Sequence, residues 1–233
     1  MIALLNEGWE SIDWVAALLV FGGIIAATAH YVLYNPKQKI IRQLKKSPPK
    51  QFYNIKEGEY VRLHGRVEQA AEFLESPLTE TPCVFYRARI IPTGKNNGHE
   101  FQEEIRFKPF WLSNGMERVY VNPLYFGAVD HLLKKDLDSQ SQKEKFSKER
   151  MTAFFDKYDD TYDLTDLLKL GEKMTGVKFT EAHILPGDSI AIKGIAKWKR
   201  HPETGKRFVE INASYKKRLL ITDEPAVIRT LPK

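Results

Sequence analysis

Residues 182–196 read Ala182-His183-Ile184-Leu185-Pro186-Gly187-Asp188-Ser189-Ile190-Ala191-Ile192-Lys193-Gly194-Ile195-Ala196. Two runs of β-forming residues flank Pro186-Gly187-Asp188, a turn tripeptide, so a strand is expected on each side of a tight reversal. The same grammar recurs to either side. Tyr60 to Val67 carries β-formers separated by polar residues. Pro77 and Pro82 bracket a turn before an expected strand over Cys83–Ile91. Gly94-Lys95-Asn96-Asn97-Gly98 reads as a hairpin loop, since Asn-Gly suits positive φ. A return strand is expected over Glu103–Leu112. Ser113-Asn114-Gly115 then turns the chain into Arg118–Val121, and Pro123 stops that strand. Lys206–Ile211 and Arg218–Ile221 are expected to close the sheet.

Between these runs, residues 130–175 read as a helical insertion. Ser141 and Glu144 match a capping box ahead of a helix over Glu144–Tyr158. Asp163 or Thr165 caps a second helix through Leu167, Leu168 and Leu170. The β-rich domain is expected over residues 57–225, with a tail at 226–233. The fold class that follows is α+β: a single N-terminal transmembrane helix, then a mainly antiparallel β domain carrying the helical insertion.

The membrane helix is read from residues 14–34, a run from Trp14 to Tyr34 without Asp, Glu, Lys or Arg. Twenty-one residues of helix reach ~31 Å, the thickness of a hydrocarbon core. Trp14 at one end and Tyr31 and Tyr34 at the other suit the aromatic belts at the two interfaces. Residues 1–13 form a short tail with Glu7, Glu10 and Asp13, a sum of −3, which is the wrong flank for a cleaved signal peptide. Ala27-Thr28-Ala29 is the feature favouring cleavage. Residues 35–50 hold Lys37, Lys39, Arg42, Lys45, Lys46 and Lys50, a sum of +6. The positive-inside rule therefore places the N-terminus outside and the β domain in the cytoplasm. The basic linker, residues 35–56, ends its helical character at Ser47-Pro48-Pro49 and offers an anionic leaflet its cations. Gly22/Ala26 and Gly23/Ala27 repeat small residues four apart, which permits a homodimer through the membrane helix.

Composition narrows function. Of 233 residues, 42% are hydrophobic and 28% charged, enough for a packed core and too polar for a polytopic membrane protein. The net charge of +6 is accounted for largely by residues 35–50, so it is not a nucleic-acid signal. No nucleic-acid partner is expected. Trp198-Lys199-Arg200 and Lys216-Lys217-Arg218 read as sheet edges defended by cations, with a nucleic-acid or leaflet surface as the alternatives.

At Glu75-Ser76-Pro77-Leu78-Thr79-Glu80-Thr81-Pro82-Cys83-Val84-Phe85-Tyr86 the chain resembles the GIDE, or beside-a-membrane, family, as in the MULAN-type mitochondrial ubiquitin ligases. Later blocks continue the resemblance in order: Pro109 and Phe110, a turn with Gly115, then Asn122-Pro123, and finally Glu181 through Pro186, Gly187, Asp188 and Gly194. It covers roughly residues 59–222. The motif positions it implies are Ser76, Pro77, Leu78, Pro82, Cys83, Pro109, Phe110, Gly115, Pro123, Pro186, Gly187, Asp188 and Gly194. It also implies a domain beside a membrane, and a ligase label. The zinc-binding RING of such ligases is not expected here, since the only cysteine is Cys83.

No catalytic, metal or cofactor constellation is expected. Cys83 reads as a buried strand residue with a reactive thiol as the alternative. His64, His99, His131, His183 and His201 stand singly, without metal-ligand spacing. Asp156, Asp159, Asp160, Asp163 and Asp166 lack the spacing of a calcium loop. The resulting expectation is a non-catalytic, membrane-anchored module that binds a protein partner or senses a signal. A ligase-like enzyme and an anionic-lipid binder are the alternatives.

Overall fold

Val61, Leu63 and Val67, in phase with each other across Gly65, turn to the core and build β1 (Tyr60–Gln69), the strand on which a barrel closes. The structure is a computed structural model and describes residues 14, 16–26, 30, 35–70, 72–92, 102–122, 129–159 and 177–228. Two units divide the chain, Met1–Lys46 and Ser47–Lys233.

In the first unit, residues 16–26 are helical. Helix α1 (Pro36–Lys45) starts where the sequence supplies a cap: Asn35 Oδ1 accepts the Lys37 N–H at 2.9 Å, and Pro36 holds the first turn. Lys37, Lys39, Arg42 and Lys45 lie on α1 and Lys46 follows it, with Arg42 and Lys45 favourably placed in the last turn. Among the described residues, no helix is long and apolar enough to cross a membrane. The expected span also takes in Tyr31 and Tyr34, which lie outside the described residues.

The second unit is α+β. Its further strands are β2 (Leu74–Glu75), β3 (Pro82–Cys83), β4 (Phe85–Pro92), β5 (Gln102–Phe107), β6 (Phe110–Ser113), β7 (Arg118–Val121), β8 (Val129–Leu132) and β9 (Asp136–Asp138). The chain continues through helix α2 (Lys148–Asp159), β10 (Val177–Ile184), β11 (Ser189–Arg200), β12 (Arg207–Asn212), β13 (Leu219–Thr222) and the short helix α3 (Pro225–Ile228). Among the described ladders, only β7 with β12 and β8 with β13 are parallel.

Five strands close on themselves in the order β1-β6-β7-β12-β11 and back to β1. Numbered along the chain, that circuit is 1-2-3-5-4-1 with its third and fifth members parallel, the connectivity of the OB-type Greek-key barrel. Tyr60–Arg66 pairs with β11 and Arg66–Gln69 with β6, so β1 changes neighbours near Gly65. A Cβ at Gly65 would collide with the Ser113 carbonyl oxygen, and one at Gly194 would stand 2.5 Å from Ile211 Cγ2. Closure at both places needs a residue without a side chain.

A second sheet, β5-β4-β10-β9, is built from the two long insertions in the barrel. Alternation splits its faces. Phe85, Phe107, Ala182 and Ile184 join the barrel core around Leu63, Phe110, Leu112, Ile190, Ile192 and Ile211. Tyr86, Ala88, Ile90, Val177 and Phe179 pack with Phe154 and Phe155 of α2 and with Leu78 and Cys83.

Three sequence expectations change. The single strand over Glu103–Leu112 is two strands in different sheets, because Pro109 lacks an N–H and breaks the ladder between β5 and β6. The region beginning at residue 130 contains β8 and β9 as well as helix. Their side chains are all half-buried, so they show no alternating burial to set against a helical reading. Helix α2 starts after Ser147, whose Oγ accepts the Arg150 N–H at 3.4 Å, and not at the Ser141–Glu144 box. Gly94–Gly98, Pro123 and the helix expected through Leu170 lie outside the described residues.

Candidate functional site: a buried carboxylate beneath the β2–β3 turn

The turn between β2 and β3 begins at Ser76, whose N–H donates to the Thr81 carbonyl at 3.2 Å. Pro77 leads into it, and Glu80 takes a φ of +54° at its tip. Beneath lies Glu181, on β10, with no exposed surface. Phase explains its position: Val177, Phe179, Glu181 and His183 point to the same face of β10, and all four are buried.

A buried carboxylate must be satisfied, and this one is. Its Oε1 accepts the Leu78 N–H at 2.9 Å. Its Oε2 accepts the Thr79 hydroxyl at 2.6 Å and the Ser76 hydroxyl at 3.1 Å, and lies 2.9 Å from His183 Nε2. Burial alone would raise the Glu181 pKa, but hydrogen bonds from His183, Thr79 and the Leu78 N–H outweigh it and hold the carboxyl below its ordinary value. The carboxylate fastens the turn to the sheet.

Cys83, at the end of the turn, is wholly buried. Burial, and then the neighbouring Glu181 charge, push its thiol up to about 12. It packs in the second sheet's core with Leu78, Tyr86 and Phe179.

Hydroxyl, imidazole and carboxylate occur together here, but not as an acyl-transfer relay. In such a relay the imidazole uses one nitrogen for the hydroxyl and the other for the acid. Here His183 Nε2 faces Thr79 Oγ1 at 3.2 Å and Glu181 at 2.9 Å, and the carboxylate holds the hydroxyl directly. Among the described residues, no three His, Cys, Asp or Glu side chains could jointly hold a metal ion.

A cleft of about 400 Å³ opens beside the turn, lined by Thr79, His183, Leu137, Lys135, Lys145 and Asp188. Asp188 belongs to the β10–β11 turn. Its Oδ2 accepts the Leu185 N–H at 2.8 Å and its Oδ1 pairs with Lys135 at 2.9 Å. Thr79 and Thr81 of the β2–β3 turn thus meet His183, Leu185 and Asp188 around one cleft, whereas Ser76, Pro77, Leu78, Pro82, Cys83, Pro186 and Gly187 are not among its lining residues. Pro109 and Phe110 join β5 to the barrel, with Phe110 fully buried. Gly115 forms the β6–β7 turn with a φ of +92°, and Gly194 lies within β11.

Glu181, Thr79 and His183 are site residues that sequence pattern alone does not single out. A signal for Glu181 is nonetheless legible: a carboxylate in phase with Val177 and Phe179 on a strand demands local donors.

A second buried carboxylate is structural. Glu104 on β5 takes hydrogen bonds from Tyr86 (2.9 Å), Arg106 (3.0 Å), Lys157 (2.8 Å) and Tyr158 (2.6 Å) and so anchors α2 to the sheet. Burial raises its pKa, yet those four donors bring it down to about 2.

Fold and site together define an α+β protein built on a five-stranded Greek-key barrel with an inserted second sheet. No protein-family model, curated protein or solved structure matches the chain.

Proposed function

We propose that the chain is a membrane-tethered, non-catalytic recognition module. Residues 14–34 lie in the bilayer, the N-terminus is outside, and the barrel unit is cytoplasmic. The observation that carries this reading is an exposed apolar helix: Leu18, Leu19, Phe21 and Ile25 are 71%, 72%, 65% and 68% exposed, within residues 16–26 that hold no charge. Covering each such side chain gains about 1.5–3 kcal/mol, and a lipid core covers all sides of a helix at once. Lys37, Lys39, Arg42, Lys45 and Lys46 then lie at an anionic leaflet, worth about 1 kcal/mol apiece.

Recognition falls to the cleft beside Thr79, Lys135 and Asp188. A turn fixed by three hydrogen bonds to one carboxylate is a rigid surface, and rigidity lowers the entropic cost of binding a protein partner. The meeting of the Ser76–Cys83 and Glu181–Gly194 blocks at that cleft supports the GIDE resemblance. A ligase activity would need zinc ligands in close pairs, for which one cysteine in these 233 residues is too few.

The test is topological. The chain should stay in the membrane pellet through alkaline extraction, and protease outside intact cells should leave the barrel unit whole. Digestion of that unit, or a mature chain beginning after Ala29, overturns the reading. Cross-linking at the cleft should capture a protein that Leu137→Asp loses. A homodimer through Gly22/Ala26 and Gly23/Ala27 should separate on Gly22→Leu with Gly23→Leu.

A further inference from the structure

Strands β6, β7 and β12 are neighbours in the barrel. Their inward residues, Phe110, Leu112, Val119, Val121, Val209 and Ile211, fill the core. Alternation therefore turns Trp111, Tyr120 and Phe208 outward onto one face. Trp111 and Tyr120 are cross-strand partners with ring centroids 5.0 Å apart, and Phe208 lies 5.7 Å from Trp111 and 6.0 Å from Tyr120. None of the three is fully buried.

A cation stands on this face: the Arg118 guanidinium is 4.6 Å from the Trp111 centroid. Arg207, 4.8 Å from Trp198, shares the side of β12 that carries Val209 and so lies opposite Phe208. Both arginines border a groove of about 720 Å³ that Lys206 and His201 also line. Among the described residues, Arg118, Lys199 and Lys206 form no ion pair; Glu117 lines the groove, and Glu68 and the buried Glu210 stand opposite Trp111 and Tyr120 on the face itself. The buried His201 Nδ1 has no hydrogen-bond partner among the described residues. Lys199, opposite Phe208 across β11 and β12, adds another exposed cation.

An aromatic platform with one guanidinium and two lysines free of ion pairs suits a ligand that repeats a flat π-face and a negative charge. Single-stranded nucleic acid supplies both in every unit, whereas a duplex hides its base faces and a leaflet has none. We infer that this outer face, with the β11–β12 hairpin at its rim, binds single-stranded nucleic acid, bases stacking on Trp111, Tyr120 and Phe208 and phosphates meeting Arg118, Lys199 and Lys206. The inference concerns the barrel alone and does not rest on the membrane tether. Net charge gives no hint of it, because most of the excess is in residues 35–50 and only folding gathers these cations.

The probe is a fluorescein-labelled oligothymidylate of about 12 nucleotides, a length within the span one such barrel covers. It is titrated with the full chain in detergent micelles and followed by anisotropy and tryptophan quenching. Saturable, micromolar binding with quenching is expected, and Trp111→Ala should weaken it about tenfold. Arg118→Gln with Lys199→Gln should flatten the log–log salt dependence by about 0.7 for each phosphate no longer neutralised. Tyr120→Leu gives the same readout should Trp111→Ala fail to fold. Long-chain polyphosphate and phosphatidylserine vesicles are the comparison probes. The inference is overturned by any of three results: no oligonucleotide binding at about 100 μM, the weak end of non-specific affinity; polyphosphate binding as tightly, with Trp111→Ala neutral; or vesicles binding through Arg118 and Lys199 while the oligonucleotide does not.

Discussion

The Glu181 carboxylate accepts the Leu78 backbone N–H at 2.9 Å across 103 positions of sequence. That single hydrogen bond, joined by the Ser76 and Thr79 hydroxyls, ties the β2–β3 turn to the middle of the second sheet. Removing the charge while keeping the shape should expose its contribution. Glu181→Gln is expected to lower stability by about 2–3 kcal/mol, because hydrogen bonds to an ionised acceptor are the strong ones. Thr79→Val should lose about half as much. Urea midpoints would measure both, and two variants within about 0.5 kcal/mol of the parent would refute the latch.

Acid should unfold the second unit in two stages. His131 packs against Phe85 at 5.2 Å, and burial first, then Arg87 and Arg89, depress its pKa from 6.5 to about 4. A depressed imidazole is neutral in the fold and takes up its proton only on unfolding, so its contribution is whole above pH 6.5 and is lost as pH falls towards 4. Glu104 follows the same sign lower down, losing its contribution from about 4.5 towards 2. Thermal melts from pH 8 to 3 should show both declines. His131→Asn should remove the upper one and leave the lower, and an unchanged upper decline would assign it elsewhere.

Cys83 should be inert in the native chain. With a buried thiol raised to about 12, the thiolate at neutral pH is a minute fraction. Labelling by a disulfide reagent is expected to run at least about a thousandfold slower than in denaturant, where it should reach one equivalent. Stoichiometric labelling of the folded chain within minutes would contradict both its burial and its raised pKa.

Two glycines should resist any side chain. Gly65→Ala forces a Cβ against the Ser113 carbonyl, and Gly194→Ala forces one against Ile211 and the Asn212 carbonyl. Each is expected to cost about 1–3 kcal/mol through overpacking at the barrel seam. Gly58→Ala meets open space and should cost only the strain of its φ of +72°, about 1 kcal/mol. Equal effects at all three would argue against closure of β1 onto β6 and β11.

Much of the strand framework is legible in the sequence, because alternation and turn residues are local properties. The strand over Tyr60–Val67, the Ser113–Gly115 turn and the reversal at Pro186–Asp188 need no distant information. The partition of strands between two sheets is not legible. Glu103–Leu112 looks continuous as a pattern, and only the sheet assignment shows that the chain leaves one sheet at Phe107 and enters the barrel at Phe110. The candidate site is half visible. Its turn residues stand out, whereas Glu181 and Thr79 acquire their roles only when strand and turn meet.

The sequence by itself determined the β-rich α+β character, the apolar run and its basic flank, and the single thiol, because composition, period and flanking charge are carried by neighbouring residues. Tertiary structure alone decided the barrel circuit, the donors that keep Glu181 ionised while buried, and the gathering of Trp111, Tyr120, Phe208, Arg118 and Lys199 on one surface. Those depend on pairings between residues about a hundred positions apart, and burial and electrostatic environment exist only once such pairings form.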